Sequence, residues 1–399
     1  MSVPNVKLIL AAVVIVSIVA ILAASMVMQE KSDELPNLTV TGSTDLDGDF
    51  YISFVYTKYI VKMDGKGNIV WYKHEDTSND PIPTGYWDFK KHIIDGKTYY
   101  SYHDQDIQYD KYGLEGYAPG QRVILDENFN EVKRISFEKS NIVDKGHPLD
   151  GHDFLLIDLN HYIMSGYIKD RVYNIPDYES GSNVIYSYLQ EVKDGEVVWD
   201  WRSVDYPELY SLTVTDATPS ANDFANVTVD APDYVHFNAM RLNDDGDLIC
   251  SFRHLNTILC LDRTVQTDQI KWRLSGLHDE FKLTDEQKTS SQHYVTVDGN
   301  NICAFDNHNI TGETRVVSYF VDTDKMELTD FQSYRIDGKF SSACGSQQRI
   351  HGNLFALGWG HSNNDTICFC VYDFDKDEEL IRITLDNNQN FTYRCVYYE

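Results

Sequence analysis

Cysteine is absent before Cys250, and no Cys-x-x-Cys occurs anywhere in the chain. That excludes zinc-ribbon and thioredoxin-type sites and leaves no thiol for a lipid anchor near the N-terminus. The seven cysteines are Cys250, Cys260, Cys303, Cys344, Cys368, Cys370 and Cys395, an odd number that leaves at least one unpaired. Several lie in apolar runs, where a free thiol behaves as a small hydrophobe. Basic residues are scarce: 34 Lys and Arg stand against 62 Asp and Glu, a net charge of −28. Nucleic acid and anionic membrane surfaces are thereby disfavoured as partners. Beyond residue 30 no long apolar stripe of helical period appears, and no Ser/Pro-rich linker or charge block divides the chain.

Short β-forming runs are plentiful instead. Aromatics make up 13% of the 399 residues, with 27 Tyr, a bias that favours strands. The run from Val235 to Phe281 shows the pattern. His236 opens a strand that ends in the turn cluster Asn243-Asp244-Asp245-Gly246, and a second strand returns to Arg253. A hairpin places the start of one strand beside the end of the next, so His236 and Arg253 are expected to be neighbours. Two more strands follow, the last carrying Trp272.

This unit has relatives along the chain. Tyr59 to Trp71, Arg122 to Ile135, Ile185 to Trp199, Thr257 to Trp272, Val316 to Phe331 and Ile367 to Ile383 share its second half. The turn acids Asp64, Asp126, Asp262, Asp322 and Asp373 recur at roughly 50 to 70 residues, with one unit interpolated. A four-stranded unit at that period predicts an all-β, six-bladed β-propeller over residues 40–399. Trp71, Trp199 and Trp272 are expected at matching positions. A β-sandwich with a second β domain is the competing architecture. The irregular stretch Ser203 to Asp233 reads as a long surface loop.

Residues 1–30 stand apart. Leu8 to Met28 carries no charge and is long enough to span a bilayer, so an N-terminal transmembrane or signal-anchor helix is expected, with residues 31–39 as a short stalk. Lys7 and the N-terminal amine place the N-terminus in the cytoplasm and the body outside, at the cell surface or in the periplasm. Ala23-Ala24-Ser25 offers an alternative signal-peptidase site. Asn37, Asn226, Asn309, Asn364 and Asn390 sit in glycosylation triplets, which an exported body permits.

The expected unit starts are Gly42-Ser43-Thr44, Tyr86-Trp87-Asp88, Gly151-His152-Asp153, Val235-His236-Phe237, Gln292-His293-Tyr294 and Gly345-Ser346-Gln347. Three consecutive units open on histidine. Radial repetition converges such positions, so His152, His236 and His293 are expected around one end of a channel. Arg253 joins them by the hairpin argument, and Asp306 and Asn307 approach His293 in the same way. Three histidines alone would suit zinc, but an arginine in the cluster favours a bound anion over a dication. Tyr86, Trp87, Tyr294 and Trp359 are candidates to stack on an aromatic substrate.

The set Gly151-His152-Asp153-Phe154, His236-Phe237-Asn238, Ser251-Phe252-Arg253, Gln292-His293, Phe305-Asp306-Asn307 and Gly345-Ser346-Gln347-Gln348-Arg349 resembles the motifs of the bacterial-type arylsulfate sulfotransferases. The resemblance covers most of residues 40–399. It implies transfer of a sulfuryl group from an aryl sulfate to a phenol, with no nucleotide sulfate donor, no metal and no other cofactor. It implies His293 as the residue transiently sulfated, and His152, His236 and Arg253 as the surrounding charge-handling groups. Asn238, Asn307 and Ser346 are the implied substrate contacts. Some members carry an extra N-terminal β domain that dimerises them; here only a short stalk precedes the repeats. A surface propeller that binds a glycan or peptide, and a metal- or quinone-dependent enzyme, are the other classes the sequence leaves open.

Overall fold

The computed structural model describes residues 38–399 except 78, 107–115, 179, 215–231, 363–366 and 386–391. The apolar Leu8–Met28 segment lies outside the described residues. Among the described residues, no helix is long and apolar enough to cross a membrane.

The chain is all-β. In order, its strands are β1 (Leu38–Gly42), β2 (Asp49–Phe54), β3 (Tyr59–Asp64), β4 (Ile69–His74), β5 (Tyr86–Ile94), β6 (Lys97–Gln105), β7 (Pro119–Leu125), β8 (Glu131–Ile135) and β9 (Leu149–Asp150). Then come β10 (Phe154–Asp158), β11 (His161–Val172), β12 (Ser182–Lys193), β13 (Glu196–Arg202), β14 (Phe237–Leu242), β15 (Leu248–Phe252), β16 (Thr257–Leu261) and β17 (Ile270–Leu274). The last are β18 (His293–Asp298), β19 (Asn301–Asp306), β20 (Arg315–Asp322), β21 (Glu327–Arg335), β22 (Ser346–His351), β23 (Leu354–Gly358), β24 (Ile367–Asp373), β25 (Glu378–Leu385) and β26 (Thr392–Tyr398).

Pairing is antiparallel between sequence neighbours: β5 to β8, β10 to β13, β14 to β17, β18 to β21 and β22 to β25 are each a four-stranded meander. The remaining meander, β2 to β4, takes its fourth member from the far end of the chain, because β26 pairs with β2. This corrects one expectation. Gly42-Ser43-Thr44 does not open a unit: β1 lies at the outer edge of the last meander, against β25. Periodicity could not show this, since a strand placed last in sequence and first in space leaves no local signal. The first strands of the six meanders touch in a closed ring, β26 to β5, β10, β14, β18, β22 and back to β26.

Local chemistry explains the repetition. Asp64 accepts hydrogen bonds from the Lys66 and Asn68 backbone amides, and Asp126 does the same for Asn128 and Asn130. Asp262, Asp322 and Asp373 cap their own turns similarly. Such side-chain caps fix the turn between the third and fourth strands. Trp71, Trp199 and Trp272 sit opposite Lys62, Glu191 and Cys260, in each case just before the register slips by a bulge. They therefore share one place in their meanders.

The stretch from Ser203 is not simply a surface loop. Ser203–Asp205 and Pro207–Leu212 are short 3-10 helices, and Leu209, Tyr210 and Leu212 are buried in the core. The stretch ends on Asp233, which bridges to Ile185. Residues 215–231 lie outside the description.

The ring of first strands encloses a buried charge cluster. Arg394 of β26 donates through Nη1 to Asp88 of β5 (2.8 Å) and through Nη2 to the Asn238 carbonyl of β14 (2.6 Å). Its guanidinium lies over the rings of Tyr294 and Tyr393, 4.6 and 4.8 Å from their centroids. Lys90 bridges Asp88 and Asp153, Arg122 pairs with Asp88, and Arg241 with Asp153. One arginine from the last strand thus ties together residues from most of the ring. Removing one partner of a buried ion pair leaves the other uncompensated. Arg394→Met is expected to lower stability by about 3–5 kcal/mol in urea unfolding. A variant within about 1 kcal/mol of the parent would show that the cluster does not hold the closure.

Candidate active site

His152, His236 and His293 come together just above this cluster. His152 precedes Asp153 and His293 precedes Tyr294, so two of the residues in or against the cluster directly follow a histidine. Bulges turn the chain there: the register shifts between Phe237 and Ala239 and between His293 and Val295. His236 and Tyr294 take φ of 50° and 45°, the left-handed region that costs a side-chain-bearing residue energy. A bulge re-aims a side chain, and here it directs the histidines off the strand faces. Gly345 has φ of 98°, and a Cβ on it would lie 2.3 Å from the Phe305 ring. Only glycine allows the chain to enter β22 so close to Phe305.

Each histidine has a different partner at Nδ1. His152 bonds to Asp150. His236 bonds to Asp233 Oδ2 at 2.6 Å. His293 bonds to Asn307 Oδ1 at 2.6 Å. Asn307 donates its amide nitrogen to the carbonyls of Ser341 (2.8 Å) and Cys344 (3.1 Å), which fixes the amide's orientation. Its oxygen must therefore face His293, so His293 carries its proton on Nδ1 and keeps a lone pair on Nε2. The rings of His152 and His236 stand perpendicular with centroids 4.9 Å apart.

Arg253 follows His236 across the hairpin as expected: its amide donates to the His236 carbonyl at 2.8 Å. Its guanidinium reaches the Ser342 carbonyl at 3.4 Å. Burial, then the Arg253 charge, pushes His293 well below its ordinary value, and His152 and His236 add to this. Burial also lowers His236, against the pull of Asp233. Burial raises the Asp233 carboxyl, but the His236 charge and hydrogen bond outweigh it and bring it down to about 2. His236 and His293 are thus both disfavoured as cations, and Asp233 is ionised beside His236.

The other candidates separate. Asn238 donates to the Gln292 carbonyl at 2.7 Å, and Ser346 to the Cys395 carbonyl at 2.7 Å. Asp306 faces away from His293 and pairs with Arg315 at 2.8 Å. Of the four aromatic candidates, Trp87 lies beside His152, with centroids 5.7 Å apart. Tyr86 bonds Glu75, Tyr294 is clasped by Arg241 and Arg394, and Trp359 packs on Phe305 and bonds Cys370. Asp150, Asp233, Tyr117, Tyr167 and Tyr393 were not anticipated. Asp150 was discoverable, lying two residues before His152. Asp233 sits three before His236 but was absorbed into the presumed loop. Nothing local marks the tyrosines. Tyr167 and Tyr393 lie 5.7 and 5.8 Å from His152, centroid to centroid.

Asp233, His236 and His254 form the one group among the described residues with ligand atoms close enough to hold a metal, within 4.8 Å of one another. Both histidines already turn Nδ1 to Asp233, His254 to its carbonyl at 2.7 Å, and the two rings stack 4.6 Å apart.

The Arylsulfotransferase (ASST) family model matches residues 103–364. The chain belongs to the arylsulfotransferase family. The matched span contains all three site histidines, Arg253, Asp150, Asp233 and Asn307. No curated protein matches. Among solved structures, a protein of unknown function from Bacteroides caccae has TM-score 0.46 at 8% identity, covering 89% of this chain and 100% of its own. The periplasmic gluconolactonase of Pseudomonas aeruginosa gives 0.44 at 10%, covering 88% and 99%. A virginiamycin B lyase from Staphylococcus aureus gives 0.35 at 11%, covering 88% and 99%. These likenesses are too distant to bear on the chemistry of this chain.

Burial holds several histidines of the chain neutral. Burial pushes His92 and His254 down to about 3 and His103 to about 4, and His293 also falls far. A base whose folded value is depressed stabilises the fold above its unfolded value, and that stability is lost as pH falls below about 6.5. Urea midpoints are expected to be level from pH 8 to 7 and to fall steadily from about pH 6.5 to 5, before ordinary carboxylates titrate. A level midpoint down to pH 5 would contradict neutral burial.

Proposed function

We propose that this chain transfers a sulfuryl group from an aryl sulfate to a phenol through a sulfated His293, without a nucleotide donor. The observation that carries the reading is the Asn307 contact, which fixes the His293 proton on Nδ1 and so leaves the lone pair of the buried ring on Nε2. In the first half-reaction Nε2 attacks sulfur in line, the S–O bond to the aryl group breaks, and its electron pair leaves with the phenolate. His152 or His236 supplies a proton to that oxygen. The acceptor phenol then gives its proton to the ring that was deprotonated and attacks sulfur, and the N–S bond breaks with its electron pair returning to His293 Nε2. Arg253 offsets charge that shifts onto oxygen during transfer. Asn238, Asn307 and Ser346 act in this reading by holding backbone and ring, since each directs its hydrogen bonds to protein groups. Trp87, Tyr167 and Tyr393 supply apolar wall for an aryl ring.

The same reading takes the ring of six meanders as six blades about a central channel, and keeps Leu8–Met28 as a membrane anchor with the body outside the cytoplasm. A metal-dependent reading would rest on Asp233, His236 and His254. Stoichiometric zinc in the purified protein would favour it.

Turnover should be ping-pong. Labelled aryl sulfate without acceptor should leave label on His293, with a stoichiometric burst of phenol. His293→Ala should lose both while remaining folded, and Arg253→Met should slow transfer roughly 10²- to 10³-fold. Label mapped to a peptide containing His152 or His236, and retained in His293→Ala, would overturn the assignment.

A further inference from the structure

We propose that Asp150 and Asp233 are positioning residues that divide the three histidines into two proton carriers and one nucleophile. The proposal rests on the sulfohistidine reading and deepens it.

The three Nδ1 partners differ in charge. A carboxylate that accepts Nδ1–H fixes the tautomer and stabilises the imidazolium formed when Nε2 takes a proton. A carboxamide oxygen fixes the same tautomer but carries no charge to stabilise the cation. His152 and His236 have the carboxylates Asp150 and Asp233; His293 has the carboxamide Asn307. Asp150, Asp233 and Asn307 are all buried, so these differences act with little screening by water.

Both carboxylates are themselves held, and by adjacent residues. Tyr117 donates its hydroxyl to Asp233 Oδ2 at 2.7 Å. The Ala118 amide donates to Asp150 Oδ2 at 2.9 Å. Each carboxylate also accepts the backbone amide of its own histidine, Asp150 from His152 and Asp233 from His236, both at 3.0 Å. One dipeptide at the entry to β7 thus sets two carboxylate–histidine pairs whose rings stand 4.9 Å apart. The charged and titratable groups around His236 include Asp233, His152, His254, His293, Arg253, Tyr117 and Tyr167. Asp233 favours its protonation, and His152 and Arg253 oppose it.

The balance of each step is simple. In the donor half-reaction one carrier, entering as the imidazolium that its carboxylate stabilises, gives its Nε2 proton to the departing phenolate oxygen and becomes neutral; in the acceptor half-reaction the same neutral ring takes the phenol proton and returns to the imidazolium. No oxidant or co-reactant enters. Help with the leaving proton matters for a weakly acidic phenol and little for an acidic one. That separates positioning from packing.

The test uses the full chain with phenyl sulfate and with 4-nitrophenyl sulfate as donors. Asp150→Asn and Asp233→Asn are expected to slow the phenol burst from phenyl sulfate by roughly 10²- to 10⁴-fold. The nitrophenol burst should slow at least about tenfold less, with label still on His293. Tyr117→Phe removes one donor to Asp233 without touching the core charge. It should cost a few-fold with phenyl sulfate, cost less with 4-nitrophenyl sulfate, and move the acid limb of the pH profile upward, because a less solvated carboxylate holds the His236 proton more tightly. If Asp233→Asn fails to fold, Tyr117→Phe decides for that pair; if Asp150→Asn fails to fold, Asp150→Glu, which keeps the charge but moves the carboxylate, replaces it with the same dependence on donor expected. Equal losses with both donors, or no loss with either, overturn the assignment while leaving a labelled His293 intact. A wild-type chain that never labels at His293 overturns the sulfohistidine reading and this inference with it.

Discussion

The Arg394 guanidinium is the interaction on which the rest depends. It lies on the last strand, yet its partners are Asp88 on β5, the Asn238 carbonyl on β14 and the Tyr294 ring on β18. A ring of sheets needs its two ends joined, and β26 joins them by pairing with β2. Backbone pairing alone would set only one neighbour. The buried arginine sets several, and burial makes each of its contacts costly to lose. The cluster holds four cations, Lys90, Arg122, Arg241 and Arg394, against Asp88 and Asp153. A chain of net charge −28 thus gathers net positive charge in its interior. Surface charge is screened by salt, and buried charge is screened much less.

The chemistry sits one residue away from this brace. His152, His236 and His293 are kept beside residues locked by ion pairs or stacked rings, and two of the first strands enter through left-handed backbone at or beside a histidine. Stored strain of this kind persists only where the surroundings over-determine it. Asp153 accepts from the Met240 and Phe154 amides as well as its cationic partners, so the floor of the site cannot shift without breaking several bonds. A rigid floor keeps in place a ring that is aimed by a single hydrogen bond, which is what the proposed attack by His293 would require.

Much of this was legible because it repeats. The turn acids from Asp64 to Asp373 and the tryptophans at a common register are local signals, and they were enough to outline the units. The histidine coincidence was legible for the same reason. Pairing of His236 with Arg253 followed from hairpin geometry, and that of His293 with Asn307 from the same rule. What failed was the first unit, because Gly42-Ser43-Thr44 reads as a start and nothing local marks Thr392 to Tyr398 as one. Asp233 was missed because an irregular stretch carries no period to read. Tyr86 was misplaced for a simpler cause: strand alternation sends it to the face opposite Trp87.

The sequence by itself determined the all-β class, the repeat, the identity of the three histidines and the arginine, and the family resemblance. Each of these depends on residue type and spacing along the chain. Only the tertiary structure decided which histidine is held by an amide and which by carboxylates. Tautomer and charge are set by the atom that faces Nδ1, and for His293 that atom is oriented by the carbonyls of Ser341 and Cys344 on a distant loop. Closure by β26 and the joint grip of Tyr117 and Ala118 on two carboxylates belong to the same class, because they link residues that no local pattern connects.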